Sequence, residues 1–178
     1  MTATLFRKYR TASDWAGADR ATLESEVHAT GFFRNKAKAI IGATQDIVDE
    51  HKGSVPGSME ALTALPGIGR KSANVILDHA FGKPGIIVDT HFSRITRRLG
   101  LTAEIDPVKI EFGLIEIVPE KHRSQFSLMI NWHGRVTCYA RKPECDRCVV
   151  RKRCPAFGSA GEITWEVKTR GATRRSPR

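Results

Sequence analysis

Cys138, Cys145, Cys148 and Cys154 are all the cysteines of the chain, separated by six, two and five residues. Four thiolates gathered this closely can hold a metal centre, either a zinc ion or an iron-sulfur cluster, and spacing alone leaves both open. Two disulfides are the weaker reading, because Cys145, Cys148 and Cys154 are too near one another to staple a long loop. A second string, Leu65-Pro66-Gly67-Ile68-Gly69-Arg70-Lys71, places a glycine turn at the start of a helix. Backbone N–H groups converge in such a turn and the helix macrodipole adds positive potential, so a phosphate fits there. Gly67 and Gly69 permit close approach, and Leu65 and Ile68 can anchor the turn in the core. A lone Gly-x-Gly would read as an ordinary tight turn; the complete string favours the phosphate site.

Lys71 lies in the first turn of that helix, where the dipole disfavours a cation. It either binds phosphate beside Arg70 or, as an uncharged amine, attacks carbon as a Schiff-base nucleophile. Asp89 follows a short apolar run and precedes a helix, the position of an N-cap. The same carboxylate could steady a positive charge on a sugar or accept a proton from the lysine. His91 and His133 read as structural histidines, since four cysteines already complete a ligand set. Arg141, Lys142, Arg147, Arg151, Lys152 and Arg153 surround the cysteines. They either offer positive charge to a phosphate backbone or form a solvated charged surface.

The elements that must position these residues are helices, for strand alternation is nearly absent. Asn35 is the expected cap of a helix to about His51, with Ala37, Ile40, Ile41, Thr44, Ile47 and Val48 on its core stripe and Gly53 at its end. Ser58 caps a short helix through Leu65, and after the turn a second helix runs to Gly82. Gly82-Lys83-Pro84-Gly85 is the best boundary between lobes. Beyond it come a brief extended run over Ile86, Ile87 and Val88, a helix capped by Asp89 or Thr90 and ended by Gly100, and one opened by Asp106-Pro107. In the latter, Val108, Phe112, Ile115 and Val118 drift around the axis, which predicts a well-buried helix. Another helix, from about Lys121 to Thr137, leads into the first cysteine. The expected organisation is a lobe over residues 1–83, a cysteine-bearing lobe over 84–167 and a basic disordered tail over 168–178.

With 29 Lys and Arg against 19 Asp and Glu, the 178 residues carry a formal charge of +10. That balance points to a polyanion, nucleic acid first, rather than an acidic small molecule. No apolar run approaches the ~18 residues of a membrane span, and Met1 to Arg10 holds no secretory segment. A monomeric cytoplasmic protein, nucleoid-associated in a prokaryote or nuclear in a eukaryote, is expected. The reducing setting favours cysteine ligands over disulfides.

Taken together, the hairpin string through Ser72-Ala73-Asn74-Val75, then Val88-Asp89-Thr90-His91, then Cys-x6-Cys-x2-Cys-x5-Cys resembles the endonuclease III family of helix-hairpin-helix DNA glycosylases. The resemblance runs from about residue 5 to about residue 157. It implies an all-α, two-lobed fold that removes oxidised pyrimidines from double-stranded DNA and nicks abasic sites. By motif, Lys71 would be the nucleophile and Asp89 its carboxylate partner. Leu65, Gly67, Ile68, Gly69, Arg70, Ser72, Arg141 and Lys142 would meet DNA, and the four cysteines would hold a 4Fe-4S cluster that shapes the basic loop without any necessary electron transfer. The related adenine glycosylases typically lack this lysine, so Lys71 favours the bifunctional type. A non-catalytic DNA-binding module is the alternative from another class.

Members of the family usually carry two more helices, about 40 residues, before the segment matching Leu5 to Tyr9. A fragment, a late start codon or a truncated paralogue is therefore expected. Apolar faces on the helix ending at His51 and on the helix after Lys121 are expected to stand uncovered, with poor solubility and weak activity as the consequence.

Overall fold

The computed structural model describes residues 2–158, and every regular element among them is helical. Contacts divide the described residues into two compact units: one running up to residue 87 with 120–124, and one of residues 88–119 continuing from 125. Among the described residues no helix is long and apolar enough to cross a membrane. The basic stretch 168–178, expected to be disordered, lies outside the described residues.

In the first unit, α1 (Thr2–Lys8), α2 (Ala12–Ala16) and α3 (Arg20–Glu26) precede α4 (Phe33–His51), α5 (Met59–Ala64) and α6 (Arg70–Phe81). Short polar caps set the phase of the early helices. Thr11 accepts from the Asp14 N–H while Asp14 reaches back to the Thr11 N–H, and Asp19 accepts from the Thr22 N–H. Helices α2 and α3 pack on α4, burying Ala37 together with Tyr9, Leu23 and Val27. A second cluster joins Ala43 and Ile47 of α4 to Leu62, Leu65, Ala73 and Leu77 of the α5–α6 pair. Each fully buried leucine contributes about 1.5–3 kcal/mol, so Leu62, with no exposed surface, is a principal fastener of the hairpin. The face of α4 expected to stand open is thus partly covered, with Ile40, Ile41 and Val48 half-buried, by helices that the apolar spacing of the first 30 residues does not announce.

The start of α4 also differs from expectation. Asn35 lies inside the helix, and Phe32 is the N-cap, left-handed at φ 49° with no side-chain capping bond. Downstream, Ser58 caps α5 and Gly82 closes α6, as the spacing predicted.

The second unit contains α7 (Thr90–Arg98), α8 (Pro107–Ile115) and most of α9 (Arg123–Val136), followed by 3-10 turns at Cys145–Arg147 and Arg151–Arg153. Asp89 caps α7 through the Phe92 N–H, and Asp106 caps α8 through the Val108 and Lys109 N–H groups. The expected burial of α8 needs correction. Ile110, Glu111 and Leu114 are its buried residues, whereas Val108 and Phe112 are exposed. A face repeating at one and four residues takes the core, and the stripe one position away turns to solvent. On α9, Leu128, Met129 and Trp132 are each more than 60% exposed, an uncovered apolar face of the kind expected there.

Candidate functional site

In the first unit the glycine hairpin is built against α4. Gly67 has φ 75°, and a Cβ added to it would lie 2.5 Å from the Ala39 Cβ. Only glycine satisfies both the left-handed backbone and this close approach. Leu65 is buried, Ile68 packs against the same core, and the Ile68 N–H donates to the Leu65 carbonyl at 3.1 Å. The turn is therefore held from within while Gly67 and Gly69 face outward.

Helix α6 then opens at Gly69, an extended residue with no side-chain capping bond. By contrast α2, α3, α5, α7 and α8 each start with a capping side chain. The first turn of α6, which carries Arg70, Lys71 and Ser72, thus receives no side-chain acceptor from its N-cap residue. Lys71 is exposed in that turn. Beside the hairpin a groove of about 550 Å³ is lined by Arg20, Asn35, Lys38, Ala39, Pro66 and Gly67.

Arg20, Lys38 and Phe32 were not singled out in the sequence. Phe32 is 85% exposed and sits in a left-handed conformation unusual for an aromatic residue. The sequence offered no signal for it, since Asn35, three residues on, fits the ordinary choice of cap better.

The second unit gathers the remaining candidates. All four cysteines line one cavity, together with His133 and Arg98. Burial pushes the Cys154 thiol up, with the other three cysteines adding in the same direction. Burial also holds the His133 imidazole below its ordinary range, and its Nε2 lies 3.6 Å from the Cys148 Sγ. Among the described residues no group of three or more His, Cys, Asp or Glu is arranged to hold a single metal ion.

Two arginines of α7 tie down this loop. Arg98, 7% exposed, donates to the carbonyls of Tyr139 at 2.7 Å and Ala140 at 3.0 Å, and to the Cys138 Sγ at 3.2 Å. Arg94 Nη2 donates to the Gly134 and Cys138 carbonyls, each at 2.9 Å. The basic side chains of Arg141 and Lys142 remain exposed just beyond the first cysteine. Asp89, at the other end of α7, lines an open groove of about 670 Å³ with Thr90, Ser93, Arg97, Ile105 and Pro107. Lys71 belongs to the first unit and Asp89 to the second.

This arrangement can hold phosphates on backbone N–H groups, present an amine beside them, and gather four thiols. Residues 1–120 match the family profile described as HhH-GPD superfamily base excision DNA repair protein. The chain is similar to endonuclease III of Synechocystis sp., 48% identical over 88% of this chain and 72% of that protein. Among solved structures it resembles a non-covalent endonuclease III–DNA complex, with TM-score 0.84 and 35% identity over 89% of this chain and 74% of that one. A trapped endonuclease III–DNA covalent intermediate, the estranged-adenine complex, is similar at TM-score 0.84 and 35% identity over 89% of this chain and 75% of that one.

Proposed function

We propose that this chain, which belongs to the HhH-GPD superfamily of base excision DNA repair proteins and to its endonuclease III family, is a DNA glycosylase with abasic-site lyase activity that acts on oxidised pyrimidines in the double-stranded DNA of the cytoplasm. The observation that carries this reading is exposed Lys71 in the first turn of α6, directly after a hairpin whose Gly67 only glycine can occupy. Backbone N–H groups hold the DNA phosphate, and an amine stands beside it.

The damaged nucleotide must leave the base stack before its sugar can be reached. Phe32, exposed at the start of α4 with Arg34 and Lys36 following, is suited to stack on the bases left behind. Arg20 and Lys38 supply charge to the backbone along the neighbouring groove.

The Lys71 amine lone pair attacks C1′ of the deoxyribose, the glycosidic bond breaks, and the base departs with the bonding electrons and takes up a proton. Asp89 opposes the positive charge developing on the sugar. Breaking the C1′–O4′ bond opens the ring and gives a Schiff base between C1′ and the lysine nitrogen. Loss of a C2′ proton then expels the phosphate oxygen from C3′, which cuts the strand. Water hydrolyses the imine and returns the free amine.

Cys138, Cys145, Cys148 and Cys154 would hold a 4Fe-4S cluster. Supporting this are four thiols that line one cavity, the number and type of ligands that such a cluster takes. When bound, the cluster supplies a covalent cross-link that orders the basic loop. Arg141 and Lys142 then stand where they can meet a phosphate.

A 5′-labelled duplex with one oxidised thymine tests the proposal. The full chain should cut it without alkali, and Asp89→Asn should slow the cut about 100-fold or more. Salt-sensitive binding with no cleavage would overturn it in favour of a DNA-binding module.

A further inference from the structure

The Asp89 carboxylate is gripped at both oxygens. Oδ1 accepts the Phe92 N–H of its own helix at 2.8 Å. Oδ2 accepts the side-chain amide of Asn131, which is half-buried on α9. The first bond alone does not determine the carboxylate plane, because the terminal torsion of aspartate is broad and nearly two-fold. The second bond does.

The reach of that amide is set by packing. One turn beyond Asn131 lies Gly134, where an added Cβ would stand 3.0 Å from the His91 Cβ and 3.3 Å from the Ile95 Cγ1 of α7. The absent side chain lets the two helices approach. Arg94 locks the approach by donating to the Gly134 carbonyl, and Ile130 beside Asn131 is buried. A neutral amide suits this place, since it donates to the carboxylate without the full charge by which Lys or Arg would neutralise it. An ionised carboxylate has about four acceptor sites, so two bonds leave capacity to face a cationic sugar.

We infer that Asn131 is a positioning residue for the reaction: it fixes the plane of the Asp89 carboxylate so that its charge faces the reacting sugar. The inference rests on Asp89 acting as proposed above. Replacing Asn131 by Leu keeps the volume and removes the donor.

Single-turnover cleavage of an abasic-site duplex by the full chain is the test. Asn131→Leu should cut about 10-fold or more slowly, while the Kd for a duplex with an uncleavable abasic analogue stays within about two-fold of the parent. Asn131→Gln, which keeps the amide, should recover part of the rate. In an Asp89→Asn background, Asn131→Leu should cause no further loss, because the group it positions is already gone. Parental cleavage by Asn131→Leu, or an equal loss in both backgrounds, would overturn the inference while leaving Asp89 in its proposed role. An Asp89→Asn protein that cuts like the parent would remove that role and the inference with it. Should Asn131→Leu melt well below the parent, Asn131→Gln and Asn131→Ser carry the same comparison, and rates that do not follow the presence of a donor overturn it.

Discussion

Gly67 and Gly69 lie two residues apart and have different duties, which substitution can separate. Gly67→Ala forces a side chain into a left-handed backbone, at about 1–2 kcal/mol, and against the Ala39 Cβ 2.5 Å away. Its melting temperature should fall by several degrees. Gly69 has φ −86° and no neighbour within 4 Å of an added Cβ. Gly69→Ala should therefore melt like the parent but bind abasic DNA more weakly, because the new methyl group stands between the helix start and the phosphate. Differential scanning fluorimetry paired with fluorescence anisotropy checks both. The glycine turn, the Asp89 N-cap and the gathering of the cysteines were legible because each sits in a local string of characteristic spacing. Asn131 was not, since it meets Asp89 across 42 residues, a distance no local pattern reports. Phe32 escaped notice because an exposed aromatic at a helix start resembles any other apolar residue in sequence.

At the scale of elements, the cysteine loop is tied to α7 by arginine bonds to backbone carbonyls, so its integrity is not a matter of the cysteines alone. Removing Arg98 takes a charged donor from the Tyr139 and Ala140 carbonyls, at about 1.5–3 kcal/mol for a hydrogen bond to a charged group. Arg98→Ala should lower both the melting temperature and the iron retained per chain, measured on the same preparation. Arg98→Lys should recover only part, because an ammonium cannot reproduce the planar fork. The early helices carry a pH signature. Hydrogen bonds hold the Asp14 and Asp19 carboxyls below their ordinary range: first the Arg10 N–H for Asp14 and the Thr22 hydroxyl for Asp19. With folded values below unfolded ones, their stabilisation is present above the ordinary carboxylate value and is lost as pH falls through the lowered ones. Acid titration followed by circular dichroism should show this loss below about pH 4, and Asp19→Asn should reduce it. Helices α5 to α8 were readable from caps and glycines, whose signals are local. Helices α1 to α3 are too short for apolar spacing to declare them, and the buried face of α8 depends on what packs against it.

At the scale of the whole molecule, the charge of +10 and the exposed apolar face of α9 act on different behaviours. Charge should make DNA binding fall steeply with salt, by about 0.9 in log K per log salt for each phosphate neutralised. Arg141→Ala should reduce that slope by roughly one phosphate contact if the loop meets DNA. Leu128, Met129 and Trp132, all exposed on α9, make a patch that favours association. Replacing them by Gln, Lys and Ser should raise the concentration at which light scattering still reports a monomer, with the melting temperature nearly unchanged. The central claim concerns one bond, and borohydride trapping on an abasic-site duplex followed by peptide mass spectrometry examines it most directly. A reduced deoxyribose remnant on Lys71, with no adduct in Lys71→Ala, is the predicted result; a remnant on another residue, or undiminished trapping by Lys71→Ala, would contradict it.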